Sequence, residues 1–254
     1  RMLWLYANVK DVPEKVGPLR SARPSYVKFS KFFDAIFIHW GGSHSTKNYT
    51  GGYETIKKEK VNNIDGMSGG ELFSRDSSRK VSSEHRGVLN GKKINKAIEK
   101  KGYRTELKDS SFSPLHFNST VAPAGADGAT SVGVKFSDRT DTRKFTYNTE
   151  DGKYSTNDWE KKVKFQNLII LKAESTYITV PYKGSTTTYL NYKWNSGSGK
   201  YISNGTVTDI TWEVADGKLV LKDAVGNTLS VNKGKSYIGF VSSNHNGKIT
   251  CSAE

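Results

Sequence analysis

Sulfur is scarce in this chain: one cysteine, Cys251, and two methionines in 254 residues. A single thiol cannot close an intrachain disulfide, and the five histidines form no Cys/His group with structural zinc spacing. A disulfide scaffold and a metal centre are therefore not expected, and no motif calls for a cofactor. Long apolar runs are also missing, so no segment reads as a membrane-spanning helix. No signal-peptide pattern is present, as expected if a targeting segment lies outside this sequence. Phosphate-loop chemistry is absent as well. "GKS" at Gly234 to Ser236 lacks the earlier glycine of a P-loop, and "SGSGK" fails in the same way. Acidic residues are outnumbered, 25 against 39 Lys and Arg, for a net charge of +14. The excess is uneven: residues 1–125 carry +10 and residues 126–254 carry +4. A basic first half favours anionic partners such as nucleic acid, phospholipid headgroups or phosphate-rich wall polymers, although a solvated lysine surface accounts for many of these charges. Low cysteine use suits a cytoplasmic protein and an exported protein of a Gram-positive-type bacterium equally.

What is present divides the chain in two. "RMLWLYANV" reads as a buried strand from its first residue, with no turn or cap before it, and upstream sequence is expected. Pro24 suits the first position of a short helix, because its fixed φ fits there and its missing donor costs nothing. Tyr26, Phe29 and Phe33 follow on one helical face. "DAIFIHW" reads as a second buried strand, ended by Gly41-Gly42, and strand, helix and strand together suggest an α/β unit. "YETIKKEK" has helical character. A clearer helix is "KKINKAIEKKGY", with an Ile94, Ala97, Ile98 stripe and Gly102 as its stop. "VAPAGADGAT", residues 121–130, reads as a linker. Beyond it come short alternating strands. "DITWEV" sets Ile210, Trp212 and Val214 on one face, and turn pairs stand at Asn204-Gly205, Asp216-Gly217 and Gly226-Asn227. The last sixty or so residues read as an antiparallel meander. The fold class expected is α+β: an α/β domain over 1–120, incomplete at its start, then a mainly antiparallel β domain over 131–254.

The densest chemistry is "LRSARPSY". Arg20, Ser21 and Arg23 precede the Pro24 helix start, where free backbone N–H groups and the positive dipole end favour an anion. Planar guanidinium forks suit carboxylate or phosphate. A second run, "FSRDSSRK", offers Arg75, Asp76, Ser77 and Arg79. "FIHWGGSHS" places His39 near a strand end and Gly41, Gly42 and Ser43 in the loop beyond, a common ligand position in α/β proteins. The same stretch departs from the G-x-S-x-G nucleophile elbow at its last position. Two readings compete for the arginines: a ligand-holding site, or internal pairing with Asp34, Glu71 or Asp76. His39 reads best as a satisfied core histidine. Tyr189, Tyr192, Trp194 and Tyr201 read as cross-strand packing ahead of a stacking surface for glycans or single strands.

The stretch "PEKVGPLRSARPSYVKFSKFFDAIFIHWGGS", followed by "LFSRDSSRK", resembles the YerB-like family of bacterial lipoproteins, a domain of unknown function with paired N- and C-terminal parts. The tail "YISNGTVTDITWEVADGKLVLKDAVGNTLSVNKGKSYIGFV" is similar to the C-terminal part, so the resemblance covers most of the chain. It implies a protein lipid-anchored on the extracellular face of the cytoplasmic membrane, with no assigned catalytic residues. Members have been linked to a DNA helicase, a partner that an exported lipoprotein is poorly placed to meet. Where members often carry Ala-Pro-His-Asn after the second arginine run, this chain has "VSSEHR", which contains His85.

The leading expectation is a non-enzymatic envelope protein. It would hold an anionic wall polymer or peptide carboxylate with Arg20, Arg23, Arg75 and Arg79, while Ser21, Ser43 and His39 supply neutral hydrogen bonds. A protein partner is the other possible occupant. The alternative is an envelope hydrolase or transferase with His39 or His85 as base and Asp76 as orienter or acid. Nucleic-acid or helicase-associated binding rests on charge alone and ranks last.

Overall fold

The computed structural model describes residues 2–68, 70–109, 113–158, 163–182 and 184–253, with the backbone alone at Tyr182. Two compact units emerge: Arg1–Phe112 with Ile178–Thr188, and Ser113–Tyr177 with Tyr189–Glu254. The chain is α+β, with little helix and much strand. Among the described residues no helix is long and apolar enough to cross a membrane.

The first unit is made of short elements: β1 (Lys15–Val16), α1 (Pro24–Phe32), β2 (Phe37–His39), α2 (Gly52–Glu59), β3 (Asn63–Asp65), β4 (Phe73–Arg75), β5 (Gly87–Asn90) and α3 (Ile94–Lys101). β1, β5 and β4 form an antiparallel sheet in that order, while β2 and β3 pair in parallel with α2 between them. Pro24 opens α1. The buried face of that helix is Val27, Ser30 and Phe32, and the expected Tyr26–Phe29–Phe33 face lies half-buried beside it. Ser30 joins the core because its hydroxyl donates to the Val27 carbonyl within the helix. α3 buries Ile94 and Ile98 and ends on Gly102 at φ 63°, where a side chain would be strained.

The expected first strand is not there. Arg1 lies outside the described residues, and residues 2–7 pair with nothing as a strand. Met2, Trp4 and Leu5 are 45–50% exposed, with only Leu3 packed against the Val27 and Phe37 core. Apolar density without a partner edge does not make a strand, so the parallel pair is formed across α2 by β2 and β3 instead.

The second unit holds β6 (His116–Phe117), β7 (Asp127–Gly128), β8 (Ser131–Lys135), β9 (Thr142–Asn148), β10 (Lys153–Ser155), β11 (Lys164–Phe165), β12 (Asn167–Ala173), β15 (Ser196–Ser203), β16 (Thr206–Ala215), β17 (Lys218–Lys222), β18 (Ser230–Val231), β19 (Ser236–Ser242) and β20 (Lys248–Ser252). A hairpin of β13 (Ser175–Tyr182) and β14 (Ser185–Tyr192) is shared in sequence between the units. One sheet runs β11-β10-β9-β8-β20, and the other runs β17-β16-β15-β12-β19, with β7 on β16. Their facing side chains, including Val132, Phe145 and Tyr154 against Leu168, Ile202 and Val241, form the core. β12 reads "NLIILKA" without alternation because it is central and covered on both faces.

Asn204-Gly205 and Asp216-Gly217 take positive φ at both residues and close the β15–β16 and β16–β17 hairpins as primed turns. The meander stops there. β19 lies parallel to β12, and β18 parallel to β6, because the strands after β17 cross to edges left open by earlier elements. Residues 121–130, expected as a linker, are bonded to this unit along their length. Asn232 exchanges hydrogen bonds with both polar groups of the Ala122 backbone, Thr206 Oγ1 accepts from Ala124 and Gly125, and β7 adds to β16.

Candidate functional site

Trp40 is the fixed point of the first unit's polar region. It follows β2, and its amide donates to the Arg20 carbonyl at 3.1 Å. Two glycines press on its ring: a β-carbon on Gly66 or on Gly87 would stand 2.7 Å from an indole carbon. Phe73 meets the ring edge-on at 5.7 Å, and the Arg75 guanidinium lies over it at 4.9 Å, a cation–π contact. The two runs "LRSARPSY" and "FSRDSSRK" therefore converge on one tryptophan.

Both arginines reach the 3₁₀ turn Ser83–His85. Arg75 Nη1 donates to the Ser83 carbonyl. Arg20 Nη1 stands 2.9 and 2.8 Å from the two ring nitrogens of His85, and its Nη2 lies 3.7 Å from Glu84 Oε1. An arginine only donates, so one ring nitrogen of His85 accepts from it, and Nε2 also lies 3.3 Å from Glu84 Oε1. Arg86 follows directly. Its Nε is buried with no hydrogen-bond acceptor, and no carboxylate pairs with it among the described residues. Two guanidinium groups thus serve one turn bearing one carboxylate, and a third arginine follows it in the chain.

The carboxylates expected to neutralise these arginines are held elsewhere. Asp34 is bonded to Arg104 and accepts from the Lys108 amide at 2.8 Å; burial pushes its carboxyl up, and these bonds outweigh that and leave it below its ordinary range. Glu71 pairs with Lys93 at 3.3 Å. Asp76 pairs with Lys15 at 2.5 Å and accepts from Ser78, and these bonds, Lys15 first, bring its carboxyl down to about 2. Asp76 and Lys15 lie on an open depression of about 350 Å³ over the β1–β5–β4 sheet, whose lining also includes Glu14, Arg75, Ser77 and Asn90. Arg79 is exposed at the end of the Asp76 turn.

The predicted neutral ligands are drawn inward instead. His39 is 1% exposed; Nδ1 donates to the Gly41 carbonyl at 2.8 Å and Nε2 accepts from Asn63 at 2.9 Å. Burial holds this imidazole below its ordinary value, which keeps it neutral. The Gly41 amide donates to Asp65, whose other oxygen accepts from the Tyr53 hydroxyl, and burial with that bond pushes Tyr53 up to about 12. Gly42 bridges to Ala22 and packs on the Tyr53 ring. Ser43 Oγ accepts from the Gly52 amide and shares a bond with the Tyr49 hydroxyl, so it caps the start of α2. Arg23 Nη1 donates to the neighbouring Ala22 carbonyl. A β-carbon on Gly41 would stand 3.8 Å from the Ser21 hydroxyl, which places Ser21 at this inner network.

The sequence reading missed Trp40, Glu84 and Arg86 as members of the site. "SSEHR" carried a signal, three charged or titratable residues in succession, but it lies far from "LRSARPSY" in the chain. Among the described residues no three His, Cys, Asp or Glu side chains stand together as a metal-ligand set. In the second unit Tyr201 is buried and bonds Asn167 and Asn232, while Tyr192 and Trp194 are half-buried and pack on Phe240.

Comparison with known proteins agrees with this two-part division of the sequence. Residues 1–104 match the family described as "Protein of unknown function (DUF3048) N-terminal domain", and residues 132–238 match its C-terminal domain. The chain is 30% identical over 243 residues to "Putative lipoprotein YerB" of Bacillus subtilis (strain 168), spanning 91% of this chain and 68% of that protein. The crystal structure of the YerB protein from Bacillus subtilis superposes with a TM-score of 0.70 at 24% identity, covering 94% of this chain and 78% of that one.

Proposed function

The chain belongs to the DUF3048 family, and from that membership and the arginine cluster we propose that it is an envelope binding protein that holds an anion beside the Ser83–His85 turn. Its place would be the outer face of the cytoplasmic membrane, through a lipid anchor outside this sequence, as the name of its Bacillus relative implies for that protein. The first unit is read as a strand–helix–strand ligand domain and the second as a β module for interaction or spacing. One observation carries the reading. Asp34, Glu71 and Asp76 are engaged by Arg104, Lys93 and Lys15, so the carboxylate facing Arg20 is the exposed one of Glu84, while Arg75 takes the Ser83 carbonyl and Arg86 Nε has no acceptor. Guanidinium groups left with spare donors in a basic half of the molecule favour an anionic occupant.

The hydrolase alternative, with His39 or His85 as base and Asp76 as orienter, is less well supported: His39 is sealed and bonded on both nitrogens, Asp76 is paired with Lys15, and Ser43 is bonded at the start of α2. The test is calorimetric titration of the full chain with two probes, poly(glycerol phosphate) and an acetylated peptide ending in a free carboxylate. Arg20→Ala and Arg86→Ala are each expected to weaken binding about tenfold or more, since a hydrogen bond to a charged group contributes about 1.5–3 kcal/mol. Absence of binding to both probes, or equal binding by wild type and both variants, overturns the proposal.

A further inference from the structure

We infer that the Ser83–His85 turn is a built-in stand-in for the ligand, and that the ligand is an acidic peptide segment offering a carboxylate next to a main-chain carbonyl. The inference rests on the anion-binding reading and specifies its occupant. It follows from what the arginines hold. Arg75 grips a main-chain carbonyl, that of Ser83; Arg20 faces the carboxylate of the next residue, Glu84, and the ring of the one after it, His85. Those are the groups of a peptide. A phosphate polymer has no carbonyl for Arg75 to take.

The two sides of this contact differ in how firmly they are built. Arg20 is fixed through its own carbonyl, bonded to the Trp40 amide, and through the Leu19 amide, bonded to the Gly87 carbonyl. Arg75 ends β4, paired to β5, and lies over the Trp40 ring. The turn is the looser partner. Val81, Ser82, Ser83 and Glu84 are exposed, and the Glu84 carboxylate stands 3.7 Å from Arg20, beyond hydrogen-bond length, with its side chain 57% exposed. Exposed pairs of this kind are weak, so displacing Glu84 reduces a ligand's affinity by no more than about fivefold.

The experiment titrates the full chain by NMR with acetyl-Ser-Glu-His-amide, its Gln analogue and poly(glycerol phosphate). Wild type, Glu84→Gln and the control Glu99→Gln, which removes an exposed charge from α3, are compared. The Glu peptide is expected to bind Glu84→Gln up to about fivefold more tightly than wild type or Glu99→Gln, and the Gln peptide at least about tenfold more weakly. Glu and Gln peptides binding alike, Glu84→Gln matching Glu99→Gln, or the polymer binding while the peptide does not, each overturns the stand-in and leaves the anion site standing. No binding of any probe to wild type or Glu84→Gln overturns both.

Discussion

Trp40 is gripped from two sides by residues with no side chain, and substituting Gly87 with alanine tests how far the site depends on that grip. The new β-carbon would meet Trp40 Cε3 at 2.7 Å and Cζ3 at 3.2 Å, where ordinary carbon contacts lie near 3.5–4.0 Å. Gly87 is not among the residues of positive φ, so the substitution adds no backbone strain and its cost is steric. An indole is rigid, and Phe73 and Arg75 also pack against it, so relief of the clash displaces the ring together with these neighbours. Overpacking of this kind costs about 1–3 kcal/mol. Urea denaturation of the full chain, followed by near-ultraviolet circular dichroism, measures it. The double variant Gly87→Ala/Trp40→Leu then supplies a mutant cycle. Relief of the clash predicts a coupling above about 0.5 kcal/mol. In the binding assay Gly87→Ala weakens anion affinity, because the Arg75 platform moves with the ring. Stability within about 0.5 kcal/mol of wild type, or no coupling in the cycle, refutes the close packing from which Trp40 is argued to anchor the site.

Two further expectations concern groups outside that ring. Asn232 is wholly buried and bonds Ala122, Asn118 and Ser203, so Asn232→Ala leaves several partners unpaired; it is expected to cost about 2–4 kcal/mol and to expose residues 118–130 to limited proteolysis, and an unchanged cleavage pattern would show the segment held by other contacts. Asp76 has its carboxyl lowered to about 2 by Lys15 and Ser78, so the stability it contributes is full above the ordinary carboxylate value and is lost as pH falls through 2. Asp76→Asn should therefore flatten the urea midpoint between pH 4 and 2 relative to wild type, and an unaltered acid slope contradicts the Lys15 pairing.

Elements whose cause is local were legible in the sequence. The α3 stripe of Ile94 and Ile98 with Gly102 after it, Pro24 at the head of α1, and the two-residue turns at Asn204 and Asp216 each depend on a few adjacent residues and on φ preferences that travel with residue type. "RMLWLYANV" misled because a strand needs an edge to pair with, and no count of apolar residues reports one; Met2, Trp4 and Leu5 stay exposed. The late strands misled for the same reason, since the parallel return of β19 to β12 depends on which edge the earlier strands leave open. At the site, arginine clustering was visible and its ionic partners were not. Asp34, Glu71 and Asp76 were reasonable candidates by charge, but contact across the chain assigned them to Arg104, Lys93 and Lys15 and brought Glu84 to Arg20.

The contrast between the two units explains where recognition is expected to reside. In the second unit, buried polar side chains close on one another: Asn167, Tyr201, Ser203 and Asn232 satisfy a shared network among long strands, so their donors are already used. Apart from its part of the β13–β14 hairpin, the first unit has strands of only two to four residues, and its charged groups sit at or between their ends. Short strands leave loops to position side chains, and loops hold geometry only where something rigid pins them. Here that pin is one indole between Gly66, Gly87, Phe73 and Arg75. Changes to the glycines are therefore expected to damage anion binding while leaving every charge in place, whereas removal of Arg86 removes a donor and leaves the Trp40 packing intact.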